Sequence, residues 1–308
     1  MEKRQVLEPW PMFGPGSESF PESQERPEGT VSVRWQGSED ALPVDVVPNL
    51  VYQALSGEEQ RIQLFLPMAM PLSAPLPGAP AEKRPLVVYV PGSAWHRQNV
   101  WMGLDKARYF AARGFAFAIV EYRPSELSPF PAQIEDAGAA VRFLLERSEE
   151  YRLDGSKLVL WGDSSGAHTV VSLAVRFPEL ARCVVDWFGP MDIIDMNYYP
   201  SGMDHHGPDS PEGFLIGRKD VLENPELARR TSPLTGISPE RKLPPMLVMH
   251  GSMDNVVPFH QSVLLVEKLR SCGQAADFYR LEGSGHGTGG FTSEEALQTT
   301  LEWVKARL

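Results

Sequence analysis

Cysteine is scarce in this chain. Two thiols, Cys183 and Cys272, are all that 308 residues supply, so no disulfide framework staples the fold. Both read as structural thiols of a reducing compartment. Cationic residues are also short: 29 Lys and Arg stand against 40 Asp and Glu, a formal net charge of −11. That balance excludes a surface built to bind nucleic acid, which needs a basic face. No apolar run reaches the roughly 20 residues that a membrane-spanning helix requires. The opening stretch "MEKRQVLEPWPMFGPG" has no continuous apolar core of the kind a secretory leader carries. Together these absences predict a cytoplasmic protein that binds neither nucleic acid nor membrane and acts on a neutral small molecule. What remains, 42% hydrophobic and 22% charged residues, is ample for a large buried core.

Residues 1–45 are rich in Pro, Gly, Ser and Glu. They read as an extension with one short strand at "VSVRW" (31–35), docked on the body through Trp10, Phe13 and Trp35 so as to cover part of the active-site mouth. A second Pro-rich stretch, 67–85, reads as a loop between strands. Over residues 46–308, strands and helices alternate. The strand candidates are "NLVYQ" (49–53), "RIQLFLP" (61–67), "PLVVYVPG" (85–92), "FAFAIVEYR" (115–123), "KLVLWG" (157–162), "RCVVDWFG" (182–189), "PMLVMHG" (245–251) and "ADFYRLEG" (276–283). The third to seventh are unbroken apolar runs, the signature of strands buried on both faces. Helical spacing marks 103–113, 131–150, 165–177, 259–272 and 293–307, with Gly114 and Gly273 placed as C-terminal caps. The expected fold class is α/β: a mostly parallel eight-stranded sheet with helices on both faces and its chemistry at the carboxyl ends of the strands. Residues 190–244 interrupt the alternation between strands 6 and 7 and are expected to form a lid or pocket wall.

The fifth strand runs into Gly162-Asp163-Ser164-Ser165-Gly166 and then a helix. A serine at so sharp a strand-to-helix corner holds a strained backbone, and its neighbours two positions away must lack side chains. A serine hydroxyl is a weak nucleophile until a base accepts its proton and an acid orients that base. In a sheet of this kind the acid follows the seventh strand and the histidine the eighth. Those ends read "HGSMDNVVP", offering Asp254, and "GSGHGTGG", offering His286. The catalytic candidates are therefore Ser164, Asp254 and His286. The oxyanion of acyl transfer needs preorganised N–H donors, for which the Ser165 amide and the loop "PGSAWH" (91–96) are the sources. Of the other histidines, His205 and His206 sit near Asp204 and Asp209, a set that suits a solvated loop better than a metal site, and His250 reads as packing or bonding locally. No metal or cofactor is expected.

These motifs resemble the α/β-hydrolase fold, and within it the small-esterase branch of hormone-sensitive-lipase-like carboxylesterases and bacterial carbohydrate (acetyl) esterases. The resemblance rests on "GDSSGAH", "HGSMDNVVPFHQS", "GSGHG", the loop after the third strand, and "DSPEGFLIG" with "NPELARRTSPLTGI". It implies a Ser164–His286–Asp254 triad and an acyl-enzyme. In that family the loop after the third strand usually reads His-Gly-Gly-Gly-Trp; here it is Pro91-Gly92-Ser93-Ala94-Trp95. Position by position, the amides of Ser93 and Ala94 would join that of Ser165. Trp95, Trp187 and Tyr198 are the candidate platforms for a substrate ring. The resemblance also implies a small-molecule or oligosaccharide ester as substrate and acetate as the acyl group released. The rivals are a general carboxylesterase or lipase-like enzyme, a serine peptidase, for which residues 1–45 hold no propeller, and a non-catalytic binding module on the same fold.

Overall fold

The computed structural model describes residues 42–308 except residue 56 and residues 69–82. The strand expected at 31–35, the docked aromatics of the extension and most of the Pro-rich loop lie outside the described residues. Eight strands form one sheet: β1 (Val44–Leu55), β2 (Glu58–Pro67), β3 (Arg84–Val90), β4 (Ala116–Val120), β5 (Leu153–Asp163), β6 (Cys183–Trp187), β7 (Met246–Gly251) and β8 (Ala276–Leu281). Eight α-helices accompany them among the described residues: α1 (Leu104–Ala111), α2 (Ala132–Glu146), α3 (Ser148–Tyr151), α4 (Ser165–Arg176), α5 (Pro211–Leu215), α6 (Pro225–Thr231), α7 (His260–Ser271) and α8 (Glu294–Lys305). None is long and apolar enough to cross a membrane.

The sheet order is β1-β2-β4-β3-β5-β6-β7-β8. The pairs β1/β2 and β2/β4 are antiparallel, and the remaining five are parallel. Strand alternation sends side chains to two cores. Leu86, Val88 and Val90 of β3 join Val141 and Leu144 of α2, Val170 and Val171 of α4 and Leu265 of α7. Val87 and Tyr89 face the other way, toward Phe110 of α1 and Trp303 and Val304 of α8. Helices therefore cover both faces, as the unbroken apolar runs require.

The chain leaves β3 toward β4 and leaves β5 toward β6, in opposite directions along the sheet. The loops that follow these two strands diverge and open a crevice between them. Val90 at the end of β3 pairs with Gly162 near the end of β5, so the loop after β3 and the turn after β5 start side by side.

Residues 190–244 contribute a buried cluster. Ile193, Met196, Leu215, Ile216, Val221 and Ala228 build a small core of their own, closed by Trp95 and Val257.

Candidate active site

Ser164 stands at the turn between β5 and α4 with φ 51° and ψ −127°, a strained conformation for a residue with a side chain. The two flanking glycines make it possible. A Cβ on Gly162 would fall 2.3 Å from the carbonyl carbon of Gly166, and one on Gly166 would fall 2.0 Å from the Val90 oxygen. The first contact lets α4 begin directly over the end of β5. The second lets its first turn cross onto β3. The Ser164 N–H donates to the Trp187 carbonyl at 2.9 Å.

His286 follows β8, and its Nε2 lies 3.0 Å from Ser164 Oγ while its Nδ1 lies 2.8 Å from Asp254 Oδ2. The ring of Phe188 packs edge-on against the imidazole, with centroids 4.6 Å apart. Phe188 itself sits at φ +46°. Its turn is closed by the Gly189 N–H, which donates to Asp186 Oδ1 at 2.9 Å. Burial pushes the Asp186 carboxyl up to about 7, the Gly189 bond opposing that rise.

Asp254 is fully buried behind the histidine. Burial raises the carboxyl, but donors outnumber that penalty. His250 and His286 both approach Oδ2, and the N–H groups of Val256 and Val257 donate to Oδ1 at 2.8 and 2.9 Å. The result is a carboxylate held well below its usual range. His250 Nε2 also contacts the Val257 carbonyl at 3.1 Å, and its Nδ1 lies 2.7 Å from Ser262 Oγ. Two acceptors face Nε2, so that nitrogen carries the proton and Nδ1 accepts from the Ser262 hydroxyl.

The loop after β3 is bolted down by side chains where the resembled family has glycines. The Gly92 N–H donates to Asp163 Oδ1 at 2.6 Å, and the Ser93 N–H donates to Ser165 Oγ at 2.9 Å. The Ser93 hydroxyl bonds the His96 carbonyl and meets the Tyr122 hydroxyl. Of the three expected oxyanion donors, Ser93 is thus engaged by a neighbouring hydroxyl. The amides of Ser165 and Ala94 have no acceptor among the described residues.

Ala94 and Trp95 both take positive φ, +54° and +58°. These two successive left-handed residues swing the indole of Trp95 away from the crevice. It is 1% exposed, and its Nε1–H donates to His168 Nδ1 at 3.2 Å. Trp95 is therefore not a substrate platform; it anchors the loop. Tyr198 is 73% exposed on the outer surface and does not line the cavity beside Ser164. Trp187 does line it, edge buried.

That cavity measures about 670 Å³. Its walls come from the loop after β3, Met102, Asp105 and Lys106 at the start of α1, Asp163, Trp187 and Phe188, and from Phe291, Thr292 and Leu297 around the start of α8. No residue of 190–244 is among them, so the expected pocket wall is supplied instead by α1 and α8. Lys106, Asp163 and Phe188 escaped the sequence reading. The signal for Asp163 was present, as the variable second position of the Gly-x-Ser-x-Gly motif. His205 and His206 sit apart: the first is buried against Glu212 at 3.0 Å, the second pairs with Asp220 at 3.1 Å.

Three comparisons give this geometry its relatives. The BD-FAE family model matches residues 74–269. Esterase LipC of Mycobacterium tuberculosis is 27% identical over 231 residues, covering 68% of this chain and 54% of that protein. The chain spans about half the length of the curated relatives it matches first. Among solved structures, a truncated carbohydrate esterase from gut microbiota is 26% identical with TM-score 0.70, covering 88% of this chain and 98% of the other. A bifunctional GH43-CE protein of Bacteroides eggerthii is 26% identical with TM-score 0.71, covering 85% of this chain and 38% of its own. With the family match spanning well over half of its residues, the chain belongs to the BD-FAE family and carries the α/β-hydrolase fold.

Proposed function

We propose that this chain is a serine esterase that hydrolyses carboxylic esters through Ser164, His286 and Asp254. The observation that carries the reading is the continuous line from Ser164 Oγ through the imidazole of His286 to Asp254 Oδ2, at 3.0 and 2.8 Å. In the first half-reaction His286 Nε2 accepts the Ser164 proton as the oxygen attacks the ester carbonyl. The developing oxyanion is met by the amides of Ser165 and Ala94, and His286 returns the proton to the departing alcohol. Water then cleaves the acyl-enzyme through the same groups.

The substrate proposed is a short acyl ester, acetate foremost, on a carbohydrate alcohol. The solved relative from gut microbiota, 26% identical, is a carbohydrate esterase, which supports that class. The apolar walls formed by Met102, Phe188, Phe291 and Leu297 favour the second reading, a general carboxylesterase with a bulkier acyl group. Hydrolysis rates on p-nitrophenyl acetate, butyrate and octanoate, together with a screen of acetylated oligosaccharides, decide between them. Falling kcat/KM with chain length, plus acetate release from the oligosaccharides, supports the first reading. A preference for octanoate with no acetate release overturns it.

A further inference from the structure

Lys106 is the only Lys or Arg among the described residues that line the Ser164 cavity. It is 14% exposed, and its ammonium sits 5.2 Å from the ring centroids of both Tyr89 and Trp187. It forms an ion pair with Asp163, whose Oδ2 lies at 3.3 Å. That carboxylate already accepts the Gly92 N–H on Oδ1 and the Tyr89 hydroxyl on Oδ2, each at 2.6 Å. Asp163 therefore fixes where the ammonium sits but leaves at least two of its three N–H donors for whatever fills the cavity.

We propose that Lys106 is a substrate-binding residue whose ammonium donates a hydrogen bond to a neutral oxygen of the alcohol half of the ester, a ring ether or hydroxyl of a sugar. The inference rests on the esterase reading above and deepens it. Charge decides for a neutral acceptor: Asp163 and Asp105 line the same wall, so one positive group faces two negative ones and an anionic ligand gains nothing. Position decides for the alcohol half. Gly287, Thr288, Phe291 and Thr292 follow His286 in sequence and line the same cavity, so it extends beside the group that returns a proton to the leaving alcohol. An acetyl group occupies a small fraction of about 670 Å³. An all-carbon occupant would strip water from the ammonium and offer no acceptor in return, and a buried donor left unmade disfavours that ligand.

The test uses two acetate esters of the same shape, (tetrahydropyran-2-yl)methyl acetate and cyclohexylmethyl acetate, which differ by a ring oxygen in place of a methylene. The wild-type protein is expected to prefer the oxygenated ester in kcat/KM by about tenfold or more, the effect of one charge-assisted hydrogen bond, carried by KM. Lys106→Met is expected to bring the ratio near one. Lys106→Gln, which keeps an N–H donor without the charge, should retain part of it. Equal decline of both esters in Lys106→Met overturns the proposal and makes Lys106 a strut for Asp163. So does a wild-type protein indifferent to the ring oxygen, a measurement that needs no variant to fold. Ser164→Ala separates the layers: if it still turns over both esters, the serine-esterase reading fails; if it is inert and the wild-type ratio is one, only the role of Lys106 falls.

Discussion

His250 and Asp254 are joined in the core through one oxygen: Asp254 Oδ2 lies 3.2 Å from His250 Nε2, and both side chains are fully buried. The same oxygen receives Nδ1 of His286 at 2.8 Å. The acid of the proposed triad is therefore gripped from behind by a second imidazole, itself fixed by Ser262 and the Val257 carbonyl. His250→Leu removes that grip. Its expected result is a fall in kcat of about tenfold or more, with KM little changed. His250→Gln, with an amide N–H at the position of Nε2, should restore most of kcat. A folded His250→Leu protein with kcat unchanged would reduce His250 to packing.

Ser164→Ala should lower kcat about ten-thousandfold and abolish labelling by a fluorophosphonate probe, with secondary structure intact by circular dichroism. Asp254→Asn should lower kcat about a thousandfold or more, because an amide N–H would face His286 Nδ1 and favour the wrong tautomer. Probe labelling of Asp254→Asn at the native rate would remove Asp254 from the chemistry.

Two buried groups work against each other between pH 4 and 7. Burial pushes His168 down to about 4 from an ordinary 6.5, and a bond to the Thr231 carbonyl only partly offsets it. Below pH 6.5 the unfolded chain binds a proton that the fold refuses, so stability falls as pH drops toward 4. Burial raises Asp186 from 3.8 to about 7, so the fold keeps a proton that the unfolded chain releases, and stability falls as pH rises through the same window. Each effect is on the order of 3 to 4 kcal/mol, so the wild-type profile should be nearly level there. Asp186→Asn removes one side of the balance. The difference in urea-unfolding free energy between variant and wild type should shift in the variant's favour by about 4 kcal/mol from pH 4 to pH 8. Any constant penalty from the amide cancels in that comparison. A flat difference would mean that Asp186 titrates normally.

The glycines of the Ser164 turn should be far less replaceable than those of ordinary caps. Gly166→Ala drives a Cβ to 2.0 Å from the Val90 oxygen, and the protein should express insolubly or lose all activity. Gly114→Ala meets no atom within 4 Å, and only its φ of +95° resists. It should cost about 1 kcal/mol, a few degrees in a thermal melt, with activity retained.

Sequence made the sheet legible because its central strands are unbroken apolar runs, and the fold's own rules then say which loops carry a nucleophile, an acid and a base. Strand ends were harder. β5 begins at Leu153, four residues before its apolar run, because Leu153 and Asp154 pair with Arg84 and Pro85 ahead of a register shift that resumes pairing at Leu158. The direction of Trp95 was illegible: nothing in Ala94-Trp95 announces two successive left-handed residues. Nor does chain order reveal that α1 and α8, nearly 200 residues apart, come together as the cavity wall, or that Ile193, Leu215, Val221 and Ala228 gather in a small cluster of their own.

Trp95 links that segment to the cavity. Its indole is a member of the cluster built by Ile193, Leu215 and Val221, while Ala94, just before it, lines the cavity beside Ser164. Substitutions among residues that never meet a ligand can therefore nudge the proposed oxyanion donor by one peptide's leverage. Libraries aimed at faster turnover have a second target in 190–244, where drift over generations could retune the reaction while leaving every wall of the substrate chamber as it was.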